Sequence, residues 1–451
     1  MIKDLYPQAH IISPFEPKGI SNIIQSVADE DILYIKAKSQ DQLNDLIEKY
    51  LSKSFKGLII SPFKPSNDSY NYLVFQEAQI DTDLSEKMEY FYPLSKPIPP
   101  IFGVTGTNGK TSCCWLFSEV LKQLDKKVLY LGTVGTYLAG EKKEDKIITT
   151  TPSYLELRKI FYKYREEVDY IAVEVSSHAL EQNRLGDLKF EASAWTNFTQ
   201  DHLDYHKTMA AYFEAKKKIV SYTKDSRVLV LESEKEIHEK LIGHVESADQ
   251  YLKNESLPQK DHFLGNGFIK KNISLTLATV KKLGFEIKNL NYDDIRLPPG
   301  RFEIVEIKKR IFVIDYAHTP DALIKLIEQV ETTFKTGQKY ILFGCGGDRD
   351  RTKRQIMGRA AAQFGYPIIL TSDNPRSEDP EQILEDISKG ISSEHRKEVN
   401  RKKAIEMAFE LSSEGDVIVI AGKGHEDYQE INGKKIHFSD SEVVRKLNDK
   451  A

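Results

Sequence analysis

The segment Gly103-Val-Thr-Gly-Thr-Asn-Gly-Lys-Thr-Ser112 leaves an apolar run and enters a helical pattern, and this order of strand, glycine loop, Lys-Thr and helix constrains the chain more than any other stretch. Glycines at 106 and 109 let successive backbone N–H groups turn inward toward phosphate oxygens. Lys110 supplies a cation for the β- and γ-phosphates, and the Thr111 hydroxyl suits Mg²⁺. The form G-x-x-x-x-G-K-[ST] would put a glycine at 104, where Val104 stands. The context still identifies a nucleotide-binding α/β unit, with Gly106, Thr107, Asn108, Gly109, Lys110, Thr111 and Ser112 as its ATP loop.

Around that loop, short apolar runs alternate with amphipathic stretches, the pattern of repeated βα units and a mainly parallel sheet. ILYIK (32–36), GLIIS (57–61) and YLVF (72–75) read as early strands, with the helical DQLNDLIEKYL between the first two. Pro93-Leu-Ser-Lys-Pro-Ile-Pro-Pro100 carries four prolines in eight residues and reads as a stiff connector. KVLYLGTVG, YIAVEVSS and RVLVLES follow as strands, and a second boundary is expected near Leu297-Pro-Pro-Gly-Arg301. Beyond it IFVIDYAH, YILFGCGG, PIILTSD and DVIVIAG each run into polar or glycine-rich residues, at the strand edge where open α/β sheets bind ligands. The expectation is α/β with three domains: a small α/β N-terminal domain (1–98), a central P-loop-type ATPase domain with a mainly parallel sheet (99–299), and a C-terminal Rossmann-like domain (300–451).

A net charge of -4 gives no basic surface for nucleic acid, and no run approaches the ~18 apolar residues of a membrane span. Cys113, Cys114 and Cys345 have no zinc-ligand spacing and read as reduced thiols, which with the absence of a leader pattern points to the cytoplasm.

GTNGKT resembles the ATP loop of the Mur ligases, which extend the stem peptide on UDP-N-acetylmuramic acid and are related to folylpolyglutamate synthases. Glu174, in Tyr170-Ile-Ala-Val-Glu-Val-Ser-Ser-His-Ala-Leu180, ends an apolar strand where a carboxylate can hold Mg²⁺. Asp201-His-Leu-Asp-Tyr-His206 resembles a Mur element whose first histidine, here His202, implies a second metal ligand. Tyr212-Phe-Glu-Ala-Lys216 matches the position of a lysine that reacts with CO₂, which implies an N6-carboxylysine at Lys216. The resemblance thus implies Lys110, Glu174, His202 and Lys216 as catalytic and Thr111, Glu174 and His202 as metal ligands. Asn272, Arg301 in Pro299-Gly-Arg-Phe-Glu303, and Asp315 and His318 in Val313-Ile-Asp-Tyr-Ala-His-Thr-Pro-Asp-Ala-Leu323 match positions that imply contact with the nucleotide.

Thr150, Thr151, Ser176, Gln182 and Arg184 match positions that, in the branch of the family called MurE, contact the UDP-muramoyl-dipeptide. The first domain is short and lacks the branch's Ser-Arg and Asp-Gly-His, leaving Ser26 as its one candidate contact. Arg349 in the Gly-Gly-Asp-Arg run, Asp373-Asn-Pro-Arg376, and Gly422 and Glu426 in Ala421-Gly-Lys-Gly-His-Glu426 resemble the meso-diaminopimelate-adding form, with Asn374 and Pro375 inside the motif. Diaminopimelate differs from lysine by one distal carboxylate, which Arg376 can pair bidentately. The implied reaction joins meso-diaminopimelate to UDP-N-acetylmuramoyl-L-alanyl-D-glutamate with ATP and Mg²⁺ through an acyl-phosphate, in a monomer. The alternatives are a lysine-adding or folylpolyglutamate-type ligase, or a catalytically silent nucleotide-binding paralogue.

Overall fold

The computed structural model describes residues 1–25, 27–93, 98–145, 147–259 and 262–449. Ser26 lies outside the described residues, as does most of the proline-rich connector. Three domains each form around their own sheet.

The first sheet is wholly parallel, in the order β1 (Ile20–Ser21), β2 (Ile32–Tyr34), β3 (Leu58–Ser61), β4 (Asn71–Val74). Its period of two sends Ile32, Tyr34, Leu58 and Ile60 to one face, against Ile80 of the helix Glu77–Phe91. Leu33 and Ile59 go to the other, against Leu43 and Ile47 of the helix Gln40–Tyr50. Both faces are covered, as a parallel sheet demands.

The central sheet comprises β5 (Ile101–Thr105), β6 (Val128–Gly132), β7 (Gly135–Leu138), β8 (Glu141–Lys142), β9 (Tyr170–Glu174), β10 (Ala192–Trp195), β11 (Val228–Val230) and β12 (Val245–Ser247). Their order is β12-β11-β10-β5-β9-β6-β7-β8. β5 and β9 lie side by side in its interior, so the glycine loop and Glu174 leave the same sheet edge. The expected single strand KVLYLGTVG is instead a hairpin. Thr133-Val134 turns the chain so that Gly132 faces Gly135, and β6-β7-β8 form an antiparallel ribbon at the end of the sheet.

The C-terminal sheet comprises β13 (Glu303–Ile307), β14 (Arg310–Asp315), β15 (Lys339–Phe343), β16 (Ile368–Thr371), β17 (Arg396–Glu398) and β18 (Val417–Ala421), in the order β13-β14-β18-β15-β16-β17. All pairs are parallel except β13–β14, closed by Lys308-Lys309, both at positive φ (48° and 58°). A separate ribbon, β19 (Tyr428–Ile431) and β20 (Lys434–His437), closes through Asn432-Gly433, again both at positive φ, the geometry of a type I′ hairpin turn. One apolar cluster runs from the helix Lys110–Lys122 through Ile273 and Leu277 of the helix Gly267–Lys282 to Leu326 and Ile327 of the helix Pro320–Thr333, so the central and C-terminal domains share a core.

The helix Tyr154–Tyr164, capped by Ser153, begins directly after Thr151-Pro152 and carries the first domain on its flank. Arg158 donates from Nε to the Tyr92 carbonyl at 2.6 Å and pairs with Glu89. Lys159 lies 3.3 Å from Asp31, and Ser21 donates to Glu156 at 3.4 Å. No helix among the described residues is long and apolar enough to cross a membrane.

Candidate active site

Backbone geometry builds the glycine loop. Gly106 sits at φ +144° and Gly109 at φ +85°, and a Cβ on Gly106 would stand 1.9 Å from Thr196 Oγ1. A Cβ on Gly109 would stand 2.6 Å from Asn272 Oδ1, so Asn272 borders the loop as expected. The segment after β10 braces it from below. Thr107 N–H donates to the Asn197 carbonyl at 3.1 Å, Asn108 N–H to Asn197 Oδ1 at 3.0 Å, and Thr196 donates to the Asn108 carbonyl. Thr111 and Ser112 are buried in the first turn of the following helix.

Lys110 and Lys216 converge on this loop. Lys110 Nζ donates to the carbonyls of Gly106 (2.9 Å) and Thr107 (2.8 Å), and Lys216 Nζ to Gly106 at 2.7 Å. Lys216 is almost wholly buried. Burial, and then the neighbouring charge of Lys110, push its ammonium well below the usual lysine range, against Asp201. Burial also lowers Lys110, with Glu174 and Asp201 opposing and Arg301 reinforcing the shift.

Glu174 is buried at the end of β9, and its carboxylate accepts from Tyr130 OH, Thr133 N–H (2.9 Å) and Thr133 Oγ1 (2.9 Å). His202 stands at φ +53° with Nε2 3.5 Å from Asp201 and its ring edge-on to His178, centroids 4.9 Å apart. Burial holds its pKa at about 4, assisted by His178, Lys110 and Lys216 and opposed by Asp201, so at neutral pH the imidazole is uncharged. Among the described residues no three His, Cys, Asp or Glu side chains form a ready metal cage.

Next to Glu174 lies a connected polar loop. Thr151 donates to the Glu174 carbonyl at 2.8 Å and accepts from Ser176 N–H at 2.9 Å. Arg184 donates to Gln182 Oε1 (2.6 Å), Thr149 Oγ1 (3.1 Å) and the Thr151 carbonyl (3.1 Å), and Gln182 reaches Tyr205 OH at 3.1 Å. Thr150 Oγ1 stands 3.3 Å from Thr133 Oγ1. All five residues expected here therefore occupy one continuous edge.

A second polar cluster forms where β16 and β18 end. Asn374 donates to Glu426 at 2.8 Å, and Gly422, at φ +114°, leaves room for Asp373, whose carboxyl burial pushes up against the pull of Arg401 and Lys423. At the centre is Lys423, fully buried, 3.0 Å from Glu426 Oε2, 3.2 Å from Asn374 Oδ1 and 3.6 Å from Asp373 Oδ1. Arg376, at φ +52°, pairs with Glu430 of β19, while Arg349 is exposed on the neighbouring loop, its Cγ 3.7 Å from where a Gly346 Cβ would lie. Between the two clusters runs the linker. Gly300 packs against Gly424 and His425, and the Arg301 guanidinium lies 4.5 Å over the Tyr316 ring. Asp315 accepts from Phe302 N–H at 2.7 Å and Ala317 N–H at 2.8 Å, so it anchors that linker, and His318 is exposed beside Tyr316.

Models of the Mur ligase middle domain and the Mur ligase glutamate ligase domain match residues 104–302 and 300–424. A UDP-N-acetylmuramoyl-L-alanyl-D-glutamate–2,6-diaminopimelate ligase from Rickettsia bellii is 35% identical, with 95% of each chain covered. The chain belongs to the Mur ligase family. A ligase of the same name from Fusobacterium nucleatum is 39% identical over 81% of each chain. Among solved structures, a ligase of that name is 28% identical (TM-score 0.56; 99% of this chain and 98% of that one). The MurF ligase of Thermotoga maritima, in complex with ADP, shares the fold at 15% identity (TM-score 0.60; 89% and 93% covered).

In this Mur ligase the sequence reading missed Lys423, Glu430 and the Tyr130–Thr133 pair that holds Glu174. Lys423 stood inside the quoted Ala421-Gly-Lys-Gly-His-Glu426 run as an apparent loop lysine. Glu430 was signalled only by Asn432-Gly433, which marks a hairpin but not its register against Arg376.

Proposed function

We propose that this Mur ligase uses ATP to join meso-diaminopimelate to UDP-N-acetylmuramoyl-L-alanyl-D-glutamate through an acyl-phosphate. The observation that carries the reading is the polar cluster at the ends of β16 and β18. There the turn from Asp373 to Arg376 is met by Glu426, which accepts from Asn374, and by Glu430, which pairs with Arg376, so the site offers carboxylates and a guanidinium to a zwitterion that carries one carboxylate more than lysine. The names of the relatives at 35% and 39% identity support it.

A carboxylate is a poor electrophile, so the γ-phosphoryl group first passes to the acceptor's terminal carboxylate. Loop N–H groups and Lys110 stabilise the transferring charge. The amine then attacks the acyl-phosphate, the C–N bond forms and phosphate leaves. Thr149, Thr151, Ser176, Gln182 and Arg184 orient the acceptor beside the loop, with Thr150 and Ser26 as further contacts. Asn272, Arg301, Asp315 and His318 border the nucleotide from the C-terminal side.

A hard cation would take oxygen donors from the Thr111 hydroxyl, the Glu174 carboxylate and the nucleotide phosphates, as Mg²⁺ does, with the His202 imidazole as a nitrogen ligand beside them. When bound it neutralises developing phosphate charge. Lys216 suits carbamylation, because burial and the neighbouring charge of Lys110 favour its neutral amine over the ammonium, and the amine is the form that attacks CO₂. We assign residues 1–98 to the UDP group, 99–299 to ATP and 300–451 to the incoming amino acid, with small-molecule partners only and action as a monomer in the cytoplasm.

The test supplies ATP, Mg²⁺ and the UDP-muramoyl-dipeptide with either diaminopimelate or lysine, and weighs the product by mass spectrometry. The diaminopimelate tripeptide should form in step with ADP and phosphate. Product with lysine alone, or ADP released without product, overturns the reading.

A further inference from the structure

Arg376 is held from two directions. Its backbone N–H donates to the Glu430 carbonyl at 2.9 Å, and its carbonyl accepts from Asn432 N–H at 2.7 Å, a bridge that fixes the turn after β16 to β19. Its guanidinium reaches Glu430 Oε2 from Nε at 3.2 Å and the Gly347 carbonyl from Nη1 at 2.6 Å. Nη2 makes no hydrogen bond to the described residues. Gly346 leaves the space for this pose, since a Cβ there would stand 3.0 Å from Nη1. Glu430 N–H in turn donates to Asn374 Oδ1 at 3.0 Å, so one residue touches both Asn374 and Arg376 of the Asp-Asn-Pro-Arg turn. The two side chains are 23% and 29% exposed, so the pair is partly solvated.

We propose that Glu430 is a specificity-determining residue of the amino-acid site. It aims Arg376 through Nε and offsets part of its charge, and so sets how strongly the site prefers an amino acid with a distal carboxylate to one without. The inference rests on the reading of Arg376 as the partner of that carboxylate. Diaminopimelate and lysine both present a distal ammonium, so Glu430 attracts both alike at that group. The extra carboxylate of diaminopimelate is drawn by Arg376 and repelled by Glu430. Discrimination therefore depends on the balance of these two side chains.

Glu430→Gln keeps an acceptor oxygen for Nε and removes the repulsion. For a partly exposed charge the preference for diaminopimelate over lysine, as a ratio of kcat/KM, should widen about two- to fivefold, carried by KM. In an Arg376→Lys background the same substitution should widen the ratio less, because only the direct repulsion is then relieved; an equal widening there overturns the part Glu430 plays through the guanidinium. An unchanged ratio in the single variant, or equal losses on both amino acids, overturns the inference and leaves Glu430 a support for the hairpin. If Arg376→Lys alone fails to narrow the ratio, the reading of Arg376 falls first. A narrowing there with no response to Glu430→Gln rejects only the role of Glu430.

Discussion

Replacing Lys423 by methionine strips the polar cluster at the ends of β16 and β18 of its buried cation. Methionine fills much of the same volume, yet Asp373 and Glu426 are left facing each other without the ammonium that stood 3.6 Å and 3.0 Å away. Asp373 Oδ1 has no hydrogen-bond partner to fall back on. Removing one member of a buried ion pair costs about 3–5 kcal/mol. The partial exposure of Glu426 argues for the lower figure, about 3 kcal/mol, a shift of more than ~100-fold in the folding equilibrium. Adding Asp373→Asn removes the stranded charge and should restore on the order of 2 kcal/mol. The pH dependence has a definite sign. Burial already raises the Asp373 carboxyl, and Lys423 is one of two cations opposing that rise. Without it the native state binds a proton at higher pH than the unfolded chain does, so the deficit shrinks as pH falls through the raised value. Urea midpoints of wild type, Lys423→Met and the double variant between about pH 5 and 8 measure this. A deficit under about 1 kcal/mol, or a double variant no more stable than the single, refutes the assignment of Lys423 as the cluster's counter-charge.

Gly106→Ala should add ~1–3 kcal/mol of loop strain and cut ADP release on the order of 100-fold, and turnover close to wild type would show that the loop tolerates the side chain. Enzyme stripped of CO₂ should regain activity on addition of bicarbonate, with no such response in Lys216→Met; indifference of the wild type to bicarbonate removes the carbamate. His202 and His425 both have pKa values near 4, chiefly through burial, so between about pH 6.5 and 4 the unfolded chain binds protons that the native state refuses. Stability should therefore fall as pH drops across that window, and His202→Gln or His425→Gln should flatten the dependence of the melting temperature.

The glycine loop, the parallel sheets and the polar ends of their strands were legible in the sequence because each is a local pattern. The first-domain strands expected at 32–36, 57–61 and 72–75 appear at Ile32–Tyr34, Leu58–Ser61 and Asn71–Val74, since alternation marks a strand better than it marks its ends. What escaped depends on register. The reversal at Thr133-Val134 sits inside a continuous apolar run, and Gly135 was the only local sign of it. Asp315 was read as a nucleotide contact; its oxygens also hold the backbone N–H groups of Phe302 and Ala317, a bracing role set by residues 13 positions before it and two after it. Lys423 and Glu430 act across strands that are far apart in sequence. Arg401 is similar: its side chain is buried, makes two 2.7 Å bonds to Asp440 and one of 3.1 Å to the Ala421 carbonyl, and so ties its own helix to the end of β18 and to a residue far along the chain.

The helix Tyr154–Tyr164 has its amino end against the acceptor loop and its flank against the first domain. A domain seated this way is aligned by Glu156, Arg158 and Lys159, whatever its own loops bind. Such a seat works as a standard fitting: the amino-terminal unit can change its outer loops and still keep its alignment to the central domain.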